Sequence, residues 1–313
     1  MSLTRRAALL GGLGLALGAC DSGYRGPERT VTIAAGESGG FYLAFADVLA
    51  AEVTRAEPRL RCVALPTEAS VENVERVRDG TADLGLVLAD VAQSALAGEP
   101  PFPGAVPVRA LGRVYENYLQ LVVRADGHIT GLSALAGRPV SLGPVGSGAA
   151  QLAERVLAAA DVSVRALRLR FVDALAALRD RKIDAFVWSG GVPTPALTEL
   201  NRTTPLALLP LASLLPRLRQ AHGALYEQVQ VPAGAYRGMG ALATIGVANL
   251  LVCSPGLATD VAAAVVGVLT GRAAALVPAQ AVGTQFLDVR TLIGTEPVPL
   301  HPGAAGTYRA LHG

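Results

Sequence analysis

The chain has 313 residues, of which 51% are hydrophobic, 17% are charged and 4% are aromatic. This length suggests two domains of roughly 100–200 residues each. A chain this apolar can bury a large core, which excludes intrinsic disorder as its general state. The formal net charge is +2 and no basic tract occurs, so no sequence feature indicates binding to nucleic acid.

The first twenty residues are typical of an export signal. Two arginines precede the apolar run 7–19, which is shorter than the ~20 residues of a membrane-spanning helix. The run ends in a Leu-Gly-Ala sequence followed by Cys20, which resembles a lipoprotein cleavage site, so we expect Cys20 to be lipidated. Residues 4–9 also resemble a twin-arginine motif, which leaves the Sec and Tat routes both open. The small, polar residues 21–30 are expected to form a tether.

Strands and helices alternate along the rest of the chain. The predicted strands cover 31–35, 60–65, 84–88, 118–124, 140–143, 167–172, 185–188 and 244–253. The predicted helices cover 41–53, 70–80, 149–160, 173–181 and 258–276, with short helices from Asp90 and after Thr194. This alternation predicts an α/β protein with parallel sheets covered on both faces, organised as two doubly wound domains.

Two glycine-rich loops follow predicted strands, at 36–40 (GESGG) and 144–148 (PVGSG). Ligands of doubly wound sheets bind at such loops, where backbone N–H groups at a helix N-terminus favour an anion. Neither loop has the Gly-Lys-Ser/Thr of a phosphate-binding P-loop or a dinucleotide-binding pattern, which disfavours nucleotides. Each glycine can also be a simple turn residue. Two equivalent loops on two domains favour a ligand held between them.

Five segments occur in an order that matches a known family. They are IAAGESGGFY (33–42), SVEN (70–73) with GTADLGLV (80–87), LSALAGRPVSLGPVGSG (132–148), IDAFV (183–187) with GVPTP (191–195), and PLHPGAA (299–305). Together they resemble the TAXI class of solute-binding subunits of TRAP transporters, over about residues 30–310.

This resemblance implies a type II periplasmic-binding-protein fold, in which two lobes are joined by two crossing strands. The expected crossings lie near 119–124 and 243–253. Lobe I would then comprise 31–123 plus 245–313, and lobe II would comprise 124–244. The resemblance further implies an exported receptor at the outer face of the cytoplasmic membrane or in the periplasm. It would bind a small carboxylate or amino acid, such as glutamate, glutamine or 2-oxoglutarate, and would deliver it to a TRAP-type membrane permease.

The resemblance also implies ligand contacts from both lobes, and we add Tyr115 as a candidate. Tyr42 and Tyr115 can alternatively be core aromatics, and Ser70 can be a helix N-cap that also binds. We expect Ser147→Ala to weaken binding with little effect on stability, and Tyr42→Ala to weaken binding strongly. The candidate ligand-binding residues are Gly36, Ser38, Gly39, Tyr42, Ser70, Asn73, Tyr115, Gly146, Ser147, Gly148, Val192 and Thr194.

Two positions depart from the family pattern. Ala149 stands where threonine is usual, so one hydroxyl donor is missing. Glu37 stands in the first loop where the family more often has a small neutral residue. A carboxylate pointing inward there would repel an anionic ligand, which argues against a simple dicarboxylate and favours a ligand that carries an amine.

The remaining residues leave three functional alternatives. A receptor that delivers solute and a sensor that reports ligand to a membrane partner share the same site. An enzyme on the same fold is disfavoured because the sequence offers no base–nucleophile pair. No Cys/His spacing indicates a metal, and we expect no cofactor. Cys62 and Cys253 could form a disulfide outside the cytoplasm, but we favour buried free thiols.

Overall fold

The computed structural model describes residues 23–278 and 287–312. The predicted signal segment and Cys20 lie outside these residues. The strands are β1 (Arg29–Ala34), β2 (Leu60–Leu65), β3 (Leu84–Leu88), β4 (Arg109–Arg124), β5 (Pro139–Ser141), β6 (Arg165–Leu167), β7 (Ala185–Gly190), β8 (Leu206–Leu208), β9 (Tyr226–Val231) and β10 (Leu242–Cys253). The helices are α1 (Phe41–Ala56), α2 (Ser70–Arg78), α3 (Ala89–Ala97), α4 (Gly148–Ala159), α5 (Phe171–Arg179), α6 (Pro195–Thr203), α7 (Leu215–His222), α8 (Thr259–Gly271), α9 (Val289–Leu292) and α10 (Pro302–His312).

The strands form one continuous sheet in the order β2-β1-β3-β10-β4-β7-β5-β6. The outer strands run parallel, β1 with β2 and β3 on one side, and β5 with β6 and β7 on the other. The central pairs are antiparallel: β3 with β10, β10 with β4, and β4 with β7. Two parallel halves therefore meet at a pair of central antiparallel strands, and we call the halves with β1–β3 and β5–β7 the first and second lobes.

The two central strands are long enough to belong to both lobes. β4 pairs with β10 through Tyr118, and from Tyr118 to Val123 it pairs with β7. β10 pairs with β9 from Leu242 to Val247 and with β3 from Asn249 to Cys253. These are the two crossing strands that the resemblance predicts, and each changes neighbours midway along its length.

Apolar side chains fill a core in each lobe and a third cluster shared between them. In the first lobe, one face of α1 packs against the sheet. Its buried residues recur at helical spacing and include Phe45, Leu49 and Val53. The shared cluster joins side chains of α2 and α3, such as Val74, to those of α4, such as Leu152. The lobes are therefore packed together along the faces of these helices.

β4 begins at Arg109, nine residues before the predicted start at Tyr118. The apolar pattern is interrupted there by charged residues, which hide the strand in the sequence. The structure pairs two of them, with Arg113 Nη2 2.7 Å from Glu116 Oε2, so the strand can be buried although it carries charge.

The predicted strand 167–172 was wrong, because β6 ends at Leu167 and α5 begins at Phe171. The first turn of α5 gains a contact from another part of the chain, since Oε1 of Glu37 accepts the N–H of Phe171 at 3.2 Å. A helix start stabilised by a residue 134 positions away leaves no local sequence signal.

Part of the predicted tether is folded. Tyr24 is 9% exposed and packs in the first-lobe core, and its N–H donates to Oε2 of Glu57 at 2.7 Å. β1 then begins at Arg29, within the segment predicted to be a tether.

The prediction of buried free thiols is confirmed for Cys62 and Cys253. Burial raises the pKa of each thiol to about 12. No helix in the described part of the chain is both long and apolar enough to cross a membrane.

Candidate functional site

A cavity of about 40 Å³ lies between the two lobes, next to the crossing strand β4. Its walls come from the loop after β1, the start of α1 and the start of α2 in the first lobe. The second lobe contributes the ends of β5 and β7 and the starts of α4 and α5. The lining residues are Gly36, Glu37, Gly40, Phe41, Tyr42, Ala69, Ser70, Leu88, Asn117, Ser141, Gly143, Pro144, Ser147, Gly148, Ala149, Leu169, Phe171, Ala174, Phe186, Val187, Trp188 and Ser189.

Aromatic rings make up much of the wall. Phe171 stacks on Trp188 with ring centroids 3.8 Å apart and planes 16° apart, and Phe186 meets Phe171 edge-on at 6.2 Å. Phe41 and Tyr42 line the wall from the start of α1. A Cβ atom at Gly40 would lie 3.4 Å from the indole of Trp188, so the second-lobe indole lies close against the first lobe. The wall of the cavity therefore contains aromatic residues from both lobes.

Tyr42 and Ser70 form the hydrogen-bonded part of the first-lobe wall. Their hydroxyl oxygens are 3.2 Å apart, and Oγ of Ser70 accepts the N–H of Leu88 at 3.1 Å. Burial raises the pKa of Tyr42 above its usual range, so the phenol is neutral. The first-lobe wall thus presents neutral hydroxyl groups and no fixed charge at this point.

Two further lining residues each carry a buried polar atom without a hydrogen-bond partner among the described residues. The atoms are Oδ1 of Asn117 on β4 and Oγ of Ser141 on β5, and both residues are at most 1% exposed. Buried polar groups in folded proteins are almost always hydrogen-bonded. These two atoms are therefore available to a polar group that enters the cavity.

The second glycine-rich loop both caps helix α4 and lines the cavity. Oγ of Ser147 caps α4 by accepting the N–H of Ala150 at 3.1 Å, and it donates to the carbonyl of Pro144 at 2.9 Å. A Cβ atom at Gly148 would lie 2.8 Å from Ser70 Oγ and from Leu88 Cδ1, so a side chain there would displace them. Gly148 and Ala149 begin the helix and line the cavity, and within the described chain their N–H groups make no hydrogen bond.

Charged groups join the lobes at the rim. Glu37 binds the N–H of Phe171 across the junction, and Glu68 of the first lobe forms an ion pair with Arg170 of the second. Burial raises the pKa of Glu37, as do the nearby Glu68 and Asp173, while the hydrogen bond from Phe171 and the charge of Arg170 lower it. These contacts hold the lobes close together around the small cavity.

The structure brings five of the twelve predicted ligand residues together around the cavity. These are Gly36, Tyr42, Ser70, Ser147 and Gly148. Four others line open grooves outside it. Gly39 and Thr194 share one groove, Ser38 lies in a second, and Gly146 lies in a third.

The remaining three predicted residues do not line the cavity. Asn73 uses its whole amide in the fold: Oδ1 accepts from Thr67 at 2.6 Å, and Nδ2 donates to the carbonyls of Ala35 and Leu86 at 2.6 and 2.7 Å. Tyr115 is fully buried behind α1, edge-on to Phe41. Val192 packs in the second-lobe core.

Thr194 has a supporting position rather than one in the wall. Its Oγ1 accepts the indole N–H of Trp188 at 3.1 Å and donates to the carbonyl of Gly191 at 2.7 Å. Its backbone N–H donates to the hydroxyl of Tyr236 at 2.9 Å. The hydroxyl therefore orients the indole that lines the cavity.

Several lining residues were not among the candidates: Phe41, Asn117, Ser141, Phe171, Phe186 and Trp188. The aromatic residues lie in apolar runs and have the same pattern as core residues. Asn117 lies in the part of β4 that the sequence did not predict as strand. An asparagine within a buried strand is the signal that could have identified it, once the strand was known.

Residues 33–310 match the sequence profile of the NMT1-like family, so the chain belongs to this family. Several solved structures are similar to this chain at low sequence identity. A protein from Bordetella bronchiseptica RB50 is 16% identical, with a TM-score of 0.53 over 79% of this chain and 73% of its own. The substrate-binding protein of an amino acid ABC transporter is 12% identical, with a TM-score of 0.52 over 79% and 96%. The alkanesulfonate-binding protein SsuA from Xanthomonas axonopodis pv. citri is 17% identical, with a TM-score of 0.49 over 91% and 84%.

The two matches with TM-scores above 0.5 agree with the strand topology. The chain has the two-lobed α/β fold of periplasmic binding proteins, with two crossing strands, as the sequence predicts.

Proposed function

We propose that this protein is an extracytoplasmic solute receptor that binds a small molecule between its two lobes. The observation that carries the proposal is the cavity itself, whose wall is shared by Tyr42 and Ser70 of the first lobe and Ser147, Phe171 and Trp188 of the second. A ligand that contacts both lobes stabilises the state in which they are closed. Membership of the NMT1-like family supports this function, as does the fold shared with the substrate-binding protein of an amino acid transporter.

The more specific proposal is the TAXI-type subunit of a TRAP transporter. The ordered motifs of the sequence support it, because they extend over nearly the same residues as the family match. Its partner would be a TRAP-type membrane permease. Export with lipidation at Cys20 would hold the receptor at the outer face of the membrane or in the periplasm. Replacing Cys20 with serine should then release the protein from the membrane fraction.

The proposed ligand is a small carboxylate or amino acid. The start of α4 supports this class, because Gly148 and Ala149 line the cavity at the positive end of the helix dipole and their N–H groups make no hydrogen bond within the described residues. The hydroxyl of Ser147 is already used in capping, so these backbone groups would bind the carboxylate. The aromatic wall would cover the rest of the solute.

Hinge closure is the proposed mechanism. In the open state a solute would bind the start of α4, and closure would bring Tyr42 and Trp188 over it from opposite lobes. Among the described residues that line the cavity, no histidine, lysine or cysteine accompanies the hydroxyl of Ser70.

A thermal-shift screen tests this function. The chain from residue 21 would be unfolded and refolded to remove carried ligand, then mixed with glutamate, glutamine, 2-oxoglutarate and succinate. A saturable rise in melting temperature that grows with solute concentration is expected, because only the folded state binds. Trp188→Ala should abolish the shift while the variant still unfolds cooperatively. If no solute shifts the wild-type chain, the proposed ligand class is rejected.

A further inference from the structure

The charge inside the cavity has one sign. Within residues 23–278 and 287–312, Glu37 is the only charged side chain that lines the cavity, and no arginine, lysine or histidine lies with it. The arginine at the rim, Arg170, is 64% exposed and is paired with Glu68. An anionic solute would therefore lose its hydration on entering the cavity and would be repelled there by the carboxylate of Glu37. A solute with a positive group would form an ion pair with Glu37. The site is partly desolvated, and charges interact more strongly there than in water.

The aromatic wall favours the same kind of group. Phe171 and Trp188 form a stacked pair on the second lobe, and Phe171 carries the N–H that Glu37 binds. The carboxylate and the rings are thus adjacent. Cations are attracted to the faces of aromatic rings, most strongly to tryptophan, and the attraction rises when the cation is desolvated.

The unpartnered buried atoms are consistent with a hydrogen-bond donor. Oδ1 of Asn117 can only accept, and Oγ of Ser141 can accept or donate. A protonated amine has several N–H bonds, of which one can point to Glu37 while others reach neutral acceptors. A carboxylate would satisfy neither Glu37 nor Oδ1 of Asn117.

We propose that Glu37 determines specificity by binding a protonated amine of the solute, so that the site selects amino-acid-like or amine-bearing solutes over dicarboxylates. This inference rests on the proposed function as a solute receptor. The α4 N-terminus then takes the carboxylate of a zwitterionic solute, and Glu37 takes its amine.

A purely structural role for Glu37 would give a different result. Its bond to Phe171 also joins the lobes, and losing that bond would weaken every solute alike. Glu37→Gln separates the two roles, because glutamine keeps an oxygen that accepts the N–H of Phe171 but removes the charge. Glu68→Gln is the control for the lobe junction, since Glu68 lines only the outer groove, whereas Glu37 lines both that groove and the cavity. Loss of the ion pair with Arg170 should weaken an amino acid and its keto acid alike, so it leaves their affinity ratio unchanged.

The experiment is calorimetry on refolded chain from residue 21, with pairs of solutes that differ only in an amine or a keto group. The pairs are glutamate with 2-oxoglutarate, leucine with 4-methyl-2-oxopentanoate, and phenylalanine with phenylpyruvate. We expect at least one amino acid to bind about tenfold or more tightly than its keto acid, as one ion pair worth about 1.4 kcal/mol would give. Glu37→Gln should reduce that ratio to near one, and Glu68→Gln should leave it unchanged.

Two results would overturn the inference. Equal or tighter binding of a keto acid, or of succinate, would leave the receptor function standing and remove the amine site. An amino acid preference that survives Glu37→Gln would show that Glu37 does not determine it. If no solute of either kind binds, the receptor function for this ligand class and the inference both fail.

Discussion

The hydroxyl of Ser147 makes both of its hydrogen bonds within its own turn. It caps α4 through the N–H of Ala150 and donates to Pro144, so it is part of the fold before any ligand arrives. The sequence-based expectation that Ser147→Ala leaves stability nearly unchanged therefore needs revision. We predict that Ser147→Ala lowers the free energy of unfolding by about 1 kcal/mol, as loss of a serine N-cap does. Denaturant unfolding of the variant measures this.

Ser133→Ala is the control, because Ser133 is exposed and its side chain makes no hydrogen bond within the described residues. Its stability should match that of the wild type within about 0.5 kcal/mol. A Ser147→Ala variant as stable as this control would show that the cap is dispensable. Any loss of affinity in the variant would then come from direct contact with the solute.

Glu116 is a buried carboxylate on β4, 2% exposed, and burial raises its pKa to about 7. The neighbouring Arg113 lowers the pKa and Glu227 raises it. A folded-state pKa above the unfolded value means that the folded chain binds the proton more tightly. The contribution of Glu116 to the free energy of unfolding is therefore most favourable below pH 4.5, and it is lost as the pH rises to about 7. At about 1.4 kcal/mol per pH unit the loss is roughly 3 kcal/mol.

Glu116→Gln tests this pH dependence, because glutamine has nearly the same shape and does not titrate. We predict that the unfolding free energy of the wild type falls relative to that of Glu116→Gln between pH 4.5 and 7. Unfolding in denaturant at several pH values measures the two curves. Parallel curves would contradict the prediction and would place the titration of Glu116 near its ordinary pKa.

The predicted ligand residues and the cavity lining agree best where the residues follow a strand or loop and begin a helix. Tyr42, Ser70 and Gly148 were predicted because each lies at the start of a helix after a predicted strand or loop, and all three line the cavity. Asn73 bonds to the backbone and does not line the cavity, and a buried amide looks the same in the sequence whether it binds a ligand or the backbone. Trp188 was not chosen because its exposure to the cavity depends on how the lobes are packed.

Local sequence patterns also predict most helices and strands. They fail where contacts with distant parts of the chain determine the bounds of an element. β2 and β3 have the predicted bounds because their apolar runs are fully local. The predicted β4 was too short, because Arg113 and Glu116 interrupt its apolar pattern and are buried only as an ion pair. α5 begins earlier than expected because Glu37 binds its first N–H. β8 and β9 were not predicted, and each pairs with one of the two long strands.

A buried polar network joins α3 to α4 and β9. Nη1 of Arg155 lies 3.2 Å from Oδ2 of Asp90 and donates to the hydroxyl of Tyr226 at 2.8 Å, and Nη2 donates to Ser94 at 2.7 Å. The side chain of Asp90 is fully buried, which raises its pKa, and the charge of Arg155 opposes this effect. The network therefore depends on the arginine to compensate a carboxylate that has lost its water.

We predict that Arg155→Met lowers the free energy of unfolding by about 3 kcal/mol, because it leaves the Asp90 carboxylate buried without its cation. Adding Asp90→Asn to this variant should restore part of the loss, since the uncompensated charge is then gone. Arg165→Met is the control, because Arg165 is exposed and should tolerate the change within about 0.5 kcal/mol. Chemical denaturation of the four proteins measures these differences. An Arg155→Met variant as stable as the control would contradict the prediction.

At the scale of the whole molecule, alternation of strands and helices predicts two doubly wound lobes, and the resemblance predicts the crossing strands. The lobe boundaries 31–123 plus 245–313 and 124–244 stay a prediction. The sequence could not show the apolar cluster shared by the lobes or the polar contacts across them, because both need the lobes to be placed together. These contacts describe a closed arrangement around a cavity of about 40 Å³.

Closure predicts a ligand-dependent distance across the mouth of the cleft. Ser38 and Val172 line the same outer groove from opposite lobes, and Val172 is 56% exposed. Spin labels on Ser38→Cys and Val172→Cys in the chain from residue 21 would report this distance, because Cys62 and Cys253 are buried and should stay unlabelled. We expect a broad, longer distribution without solute and a narrow, shorter one with a solute that binds in the screen, since the solute favours the closed state. Labels on Val172 and Arg165, both of the second lobe, should show no change. The same distribution with and without a bound solute would mean that the lobes do not move on binding, and that the solute enters by side-chain motion alone.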